Sequence, residues 1–183
     1  ISYTEENINW SEIASEMLAL MKKLGGIGLS GPQVGILKNI IVFNTTYKDP
    51  EKSQDYILYN PEIVVKQNKI LCQEGCLSYP GIFIETERYA NVVVEYDQLL
   101  EGKSIRKFAK FADLQAQVVQ HEFFHTQGLS LVDYATPVDK VKFSWILKNQ
   151  ASMYDVITNY PNPVKLPGRI RKQLRAVILM LKI

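Results

Sequence analysis

Apolar residues near the start of the chain recur at helical spacing: Ile13, Met17, Leu20 and Leu24 fall three to four residues apart within NWSEIASEMLALMKKL, residues 9 to 24. That period predicts an amphipathic helix with one buried face. Asn9 and Glu12 are placed like a capping box at its start, and Gly25 and Gly26 end it. From Asn39 to about Phe108 the pattern changes to short β-rich runs, NIIVFN, YILYNPEIVV, KILCQE, GIFIETE, NVVVEYD and SIRKFA, punctuated by Asn, Pro, Gly and charged residues. These predict a mostly antiparallel sheet assembly. Asp113 then offers a helix cap, and LQAQVVQHEFFHTQ carries few breakers until Gly128. A further helix from about Val138 to Gln150, a Pro-rich link NYPNPVKLPG and a basic, apolar last helix, GRIRKQLRAVILMLKI, complete the pattern.

The 183 residues suffice for one domain with its own core, residues 1–183, with 151–183 as a C-terminal extension. Twenty-one basic side chains balance nineteen acidic ones. Such a balance supports neither specific DNA binding nor attraction to an anionic membrane as the main business of the molecule. No run approaches the ~20 apolar residues that span a bilayer, and the first residues lack the blocks of a secretion signal, so a cytoplasmic location is expected. The two cysteines, Cys72 and Cys76, are few for a disulfide scaffold and should be reduced thiols. Cys72, in the apolar run ILC, reads as buried packing.

The chemistry concentrates in QHEFFHTQG, which holds both histidines of the chain. Positions i and i+4 of a helix share one face about 6 Å apart along the axis, so His121 and His125 can aim at a single ion. Glu122, about 100° around the axis, can reach water at that ion without ligating it. A catalytic site of this kind needs a third protein ligand and an open position. The extended zinc-protease pattern would put its third histidine at Leu131, and no glutamate follows Glu122. Asp133, Asp139 and Asp155 remain open as ligands, as does a thiolate upstream, for which Cys76 in EGCLSYPG is the better placed of the two cysteines.

Three segments stand in order: GIGLSGPQVG at 26 to 35, EGCLS at 74 to 78 and QHEFFH at 120 to 125. In order, spacing and content they resemble the signature motifs of peptide deformylases, which remove the formyl group from the initiator methionine of nascent polypeptides and release formate. The resemblance implies an α+β fold, with antiparallel β-sheets packed around a central metal-binding HExxH helix and helices at both termini. It implies one divalent metal held by Cys76, His121 and His125, with Fe(II) favoured and Zn(II), Ni(II) or Co(II) able to substitute. Glu122 takes the acid/base role, while Gln33 and the backbone N–H of Leu77 donate to the oxyanion. Gly26 and Gly28 form an edge for an extended N-formylmethionyl peptide, Gln117 lies near the pocket for its side chain, and Arg88 supports the site. The basic residues Arg169, Arg171, Lys172 and Arg175 hint at ribosome contact.

Departures from the family pattern set the questions for the structure. Leu29-Ser30-Gly31 stands where Leu-Ala-Ala is usual, Phe124 where the third motif has aspartate, Thr126 where it has leucine, and Gln117 at a position usually apolar. The family's Pro-rich strand ahead of the first helix has no counterpart, which points to a shortened or processed chain. Two other readings stay open at this stage: a metallopeptidase with an aspartate as third ligand, and a deformylase-like protein altered in catalysis.

Overall fold

The structure, a computed structural model, describes residues 8–100 and 103–149. Helix α1 spans Trp10–Lys23, and five strands follow: β1 Gly28–Ser30, β2 Ile40–Phe43, β3 Tyr56–Cys76, β4 Tyr79–Leu100 and β5 Lys103–Ala112. Helix α2 then covers Asp113–Thr126 and α3 covers Pro137–Asn149, with short 3-10 turns at Pro32–Val34 and Leu131–Tyr134. The strands form one antiparallel sheet in chain order, β1-β2-β3-β4-β5. The fold is thus α+β. No helix among the described residues is long and apolar enough to cross a membrane. The expected last helix and the 151–183 extension lie outside the described residues.

The sheet is covered on both faces at its β2 end. The β2 residues Ile40 to Phe43 are all apolar and fully buried, and alternate ones serve different cores. Ile40 and Val42 pack with Leu29, Tyr59 and the buried stripe of α1, which includes Trp10, Ile13, Ala14, Met17 and Met21. Ile41 and Phe43 pack on the other side with Leu58, Val92, Val94, Phe111 and the α2 residues Ala116, Val118 and Val119. Phe43 stacks on Tyr56 at 4.6 Å and meets Phe111 edge-on at 5.3 Å. Burial of each such side chain stabilises the fold by about 1.5–3 kcal/mol, so α1 and α2 are clamped to opposite faces of one strand.

The expected segmentation needs three corrections. First, the six β-rich runs merge into four strands, because their punctuation is absorbed inside the ladder. Asn60-Pro61 produces a register shift between Tyr59 and Glu62, with Asn60 at φ 45°, and β3 continues past it. On β4 the charged stretch keeps the strand's alternation, with Thr86 and Arg88 buried and Glu85 and Glu87 exposed. Secondly, Gly28–Ser30 is a further strand, too short to register as a run. Thirdly, Asp113 does not cap α2: Ala112 is the N-cap, without a side-chain bond, and Asp113 is the first helical residue at φ 49°. At α1 the Asn9 half of the expected capping box forms, with Asn9 Oδ1 accepting from Glu12 N at 3.1 Å.

Candidate metal centre

Two features set the position of α2 relative to the sheet. Its apolar face packs against β2, β4 and β5, and Gln120 pins it to the backbone of β4. The Gln120 Oε1 accepts from Tyr89 N at 2.9 Å, while its Nε2 donates to Tyr89 O and Ala116 O, each at 2.8 Å. His121, Glu122 and His125 follow on the same helix, all buried. The facing sulfur arrives from the end of β3, where the register shifts between Gly75 and Cys76 and only Leu77 and Ser78 separate the strand from β4.

At that junction Cys76 Sγ lies 3.3 Å from His125 Nε2, and the two Nε2 atoms lie 3.2 Å apart. One atom from each of Cys76, His121 and His125 falls within 4.8 Å of the others. A four-coordinate ion with bonds of about 2.0–2.3 Å would space its ligand atoms by roughly 3.3–3.8 Å, so the donor set fits such an ion. The far nitrogens of both rings are engaged outward: His121 Nδ1 with Glu74 Oε2 at 3.1 Å, and His125 Nδ1 with Leu129 O at 3.0 Å. Protons placed there leave both Nε2 lone pairs facing inward, the arrangement that metal-binding imidazoles use.

Electrostatics at the cluster follow from burial against charge. Burial alone would raise the Cys76 thiol, but hydrogen bonds and charge from His121 and His125 bring it down to about 5. Burial would likewise lower His121, and its bonds to Cys76 and Glu74 instead push it up to about 10. Both shifts describe a thiolate facing imidazolium, the protonic stand-in for a cation held among these atoms. The Glu122 carboxyl is raised by burial, with the two histidines opposing and Cys76 adding. Its Oε2 is buried without a hydrogen-bond partner, an orphaned acceptor aimed into a working site.

Gln33 approaches from the turn after β1. Its Oε1 accepts from both the backbone N and the Oγ of Ser30, each at 2.8 Å. This fixes the amide so that Nε2 points to Cys76 Sγ at 3.5 Å and Ser78 Oγ at 3.2 Å. Ser30, a departure in the first motif, therefore orients the side chain three residues on. β1 also lies very close to α2: a Cβ on Gly28 would come within 2.7 Å of Glu122 Oε1 and Val118 Cγ1, and one on Gly26 within 2.5 Å of Leu77 Cδ1. Close approach to the buried Val118 and Glu122 favours glycine at Gly28, whereas at Gly26 the tip of Leu77 can move aside.

A cavity of about 560 Å³ opens beside the cluster, lined by Gly26, Gly28, Leu77, Gln117, His121 and Glu122 among others. That is within the range of small-ligand sites, roughly 300–1,000 Å³. Arg88 does not line it. Instead Arg88, only 2% exposed, donates through Nε and Nη2 to the two oxygens of Glu74, both at 2.7 Å. Burial would raise the Glu74 carboxyl, and its bonds from His121 and Arg88 hold it down at about 2. The alternative aspartates bond locally: Asp133 accepts from Ser130 within its 3-10 turn, and Asp139 from Thr136 at the start of α3. Asp155 lies outside the described residues.

Glu74 and Gln120 were not singled out from the sequence, and Ser30 was noted as a departure without a role. For Glu74 a signal existed, since strand alternation puts Arg88 on the same side as Ile82, Ile84 and Thr86, and a cation on a buried face demands an acid. Cys72, expected in the core, is instead half-buried, its Sγ 3.6 Å from Glu74 Oε1.

Residues 2–141 match the family model described as polypeptide deformylase. A peptide deformylase of Endomicrobium trichonymphae is 37% identical over 123 residues, 67% of this chain and 70% of that protein. The crystal structure of a plant peptide deformylase superposes with a TM-score of 0.71 at 30% identity, covering 89% of this chain and 86% of that one. A peptide deformylase from Plasmodium falciparum gives 0.69 at 30% identity, over 88% and 90% of the two chains.

Proposed function

The chain belongs to the peptide deformylase family, and on that premise we propose how its own residues carry out the reaction. It is a hydrolase that removes the N-formyl group from the initiator methionine of nascent polypeptides and releases formate. The observation that carries the residue assignment is the convergence of Cys76, His121 and His125 within 4.8 Å, beside the buried Glu122, whose Oε2 has no hydrogen-bond partner.

In this reading Cys76, His121 and His125 hold one divalent cation. When bound, such a cation supplies Lewis-acid polarisation and acidifies water near neutral pH. The ion favoured by resemblance is Fe(II), and Zn(II), Ni(II) or Co(II) suit the same sulfur and nitrogen donors. Elemental analysis after anaerobic purification tests that choice: zinc alone with full activity would overturn iron.

Glu122 accepts the proton of the attacking water and returns it to the departing amine nitrogen, leaving formate and a free N-terminus. Burial raises this carboxyl above its ordinary range, which favours holding the proton between the two transfers. Gln33 Nε2, held by Ser30, donates to the oxygen that becomes negative as the formyl carbon turns tetrahedral, with Leu77 N–H as second donor. The extended substrate lies along Gly26 and Gly28, pairing main chain to main chain, and its first side chain enters the cavity past Gln117. Arg88 acts on Glu74 rather than on the peptide.

Residues 1–183 are read as one domain with 151–183 as its extension. The cytoplasm is the place of action that this substrate implies, and ribosome contact rests on the basic residues near the C-terminus. The test of the whole is formate release from a formyl-methionyl tripeptide. Release that stops with a chelator and returns with Fe(II) or Co(II) is expected, and falls by about 10²–10⁴-fold in Glu122→Gln. Chelator-insensitive release, or a fully active Glu122→Gln, overturns the assignment.

A further inference from the structure

Arg88 has two kinds of partner, and only one of them is the carboxylate described above. Its guanidinium edge is committed to Glu74 through Nε and Nη2. Two rings pack against the group: the guanidinium carbon sits over Phe124, 4.7 Å from the ring centroid, and over Tyr134, 5.3 Å from that centroid. These rings lie 5.2 Å apart, inclined by 31°. Phe124 stands three residues after His121 on α2, and Tyr134 closes the Leu131–Tyr134 turn.

A guanidinium is planar, with all its N–H donors in the plane and a face that attracts aromatic π-density. Rings packed against the guanidinium carbon restrain the group while its Nε and Nη2 donors stay on Glu74. The plane of Arg88 in turn fixes the plane of Glu74, because the contact is bidentate. Glu74 Oε2 is shared with His121 Nδ1 at 3.1 Å, so the orientation of the carboxylate becomes the orientation of the imidazole. The contacts close a circuit: Phe124 to Arg88 to Glu74 to His121, and back along one turn of α2.

We propose that Phe124, assisted by Tyr134, is a positioning residue that holds the His121 ring for cation binding by stacking on Arg88. The proposal rests on the three-ligand reading above. It gives phenylalanine in this place a role: the ring restrains Arg88 and, through Glu74, the His121 imidazole.

The test uses the Co(II)-loaded protein, with two readouts independent of turnover: the rate of Co(II) transfer to a chelator, and the visible spectrum of the thiolate-bound ion. Phe124→Leu should release Co(II) on the order of tenfold faster, within the 10–100-fold range of outer support residues, with an altered spectrum. Phe124→Tyr should restore both. In an Arg88→Met background, Phe124→Leu should add nothing further, since its effect runs through the guanidinium. Tyr134, more than a third exposed, offers a variant that leaves the core intact: Tyr134→Leu should accelerate release on its own, by less than Phe124→Leu. Unchanged release in both Phe124→Leu and Tyr134→Leu, or a full additional effect of Phe124→Leu on Arg88→Met, overturns the positioning role. Failure of the unsubstituted protein to take up Co(II) with a thiolate band would instead overturn the three-ligand reading beneath it.

Discussion

Cys72 and Cys76 occupy one face of the same strand, with Glu74 between them, and their surroundings make different chemical species of them. Cys76 is buried against two imidazoles and its thiol is drawn down to about 5. Cys72 is half-buried, and burial raises its thiol, with Thr86 opposing and the negative charge of Glu74 adding to the rise. Residue type and strand face are shared, so neither explains the difference. What decides it is which groups the tertiary fold brings opposite: α2 reaches Cys76, and only the strand's own neighbours reach Cys72. A cysteine's reactivity is thus a property of its facing partners rather than of its local sequence.

The largest effect expected separates the two outright. Cys76→Ala should bring bound metal to background and abolish formate release, measured by elemental analysis and the tripeptide assay. Cys72→Ala in the same assays should match the unsubstituted protein. Equal loss in both would erase the contrast. Next in size, Gln33→Ala removes the amide beside Cys76 and should lower kcat by about 10²–10³-fold. Metal content should stay unchanged, which distinguishes donation to the oxyanion from support of the thiolate.

Much of this contrast was legible before the structure, though not all. The helical spacing of α1 and the i, i+4 histidines are local patterns, and both helices form where those patterns lie. The strand boundaries were less legible, because an Asn-Pro pair looks like a terminator until a facing strand absorbs it as a bulge. Cys76 could be preferred over Cys72 by its glycine neighbour, but spacing alone left three aspartates in competition. Contacts spanning forty or more residues settle which atoms face which, as in Gln33 to Cys76 and Cys76 to His125. Glu74 escaped because its charge partner is on the next strand, fourteen residues on, and pairing across a hairpin is set by register rather than proximity in sequence.

Glu74 gives the third prediction, since it touches the environments of both thiols. Its carboxyl is held at about 2 against an ordinary 4.5. A depressed acid stabilises the fold fully above its unfolded value, and that stability is lost as pH falls through the folded value. The contribution should therefore be complete above about pH 4.5, disappear on acidification through about pH 2, and amount to roughly 3 kcal/mol. Glu74→Gln should remove a comparable amount at neutral pH by leaving Arg88 buried without its counter-charge, as denaturant titration would reveal. It should also ease deprotonation of Cys72, narrowing the difference between the two sulfurs. The smallest effect is a spectroscopic one: at neutral pH the metal-free protein should show the ultraviolet absorbance of one thiolate, present in Cys72→Ala and absent in Cys76→Ala.

Strand β1 ends the sheet, yet it is wholly buried and pressed against α2. An outermost strand is ordinarily an invitation to other sheets, and this one, outermost among the described residues, is buried beside α2. On the proposed pairing, access is decided by the state of the client rather than by its sequence: a terminus still loose and threadlike can enter, and one already woven into a finished domain is shut out. That pairing would make the enzyme a clock as well as a catalyst, confining its work to the interval before the newborn chain folds.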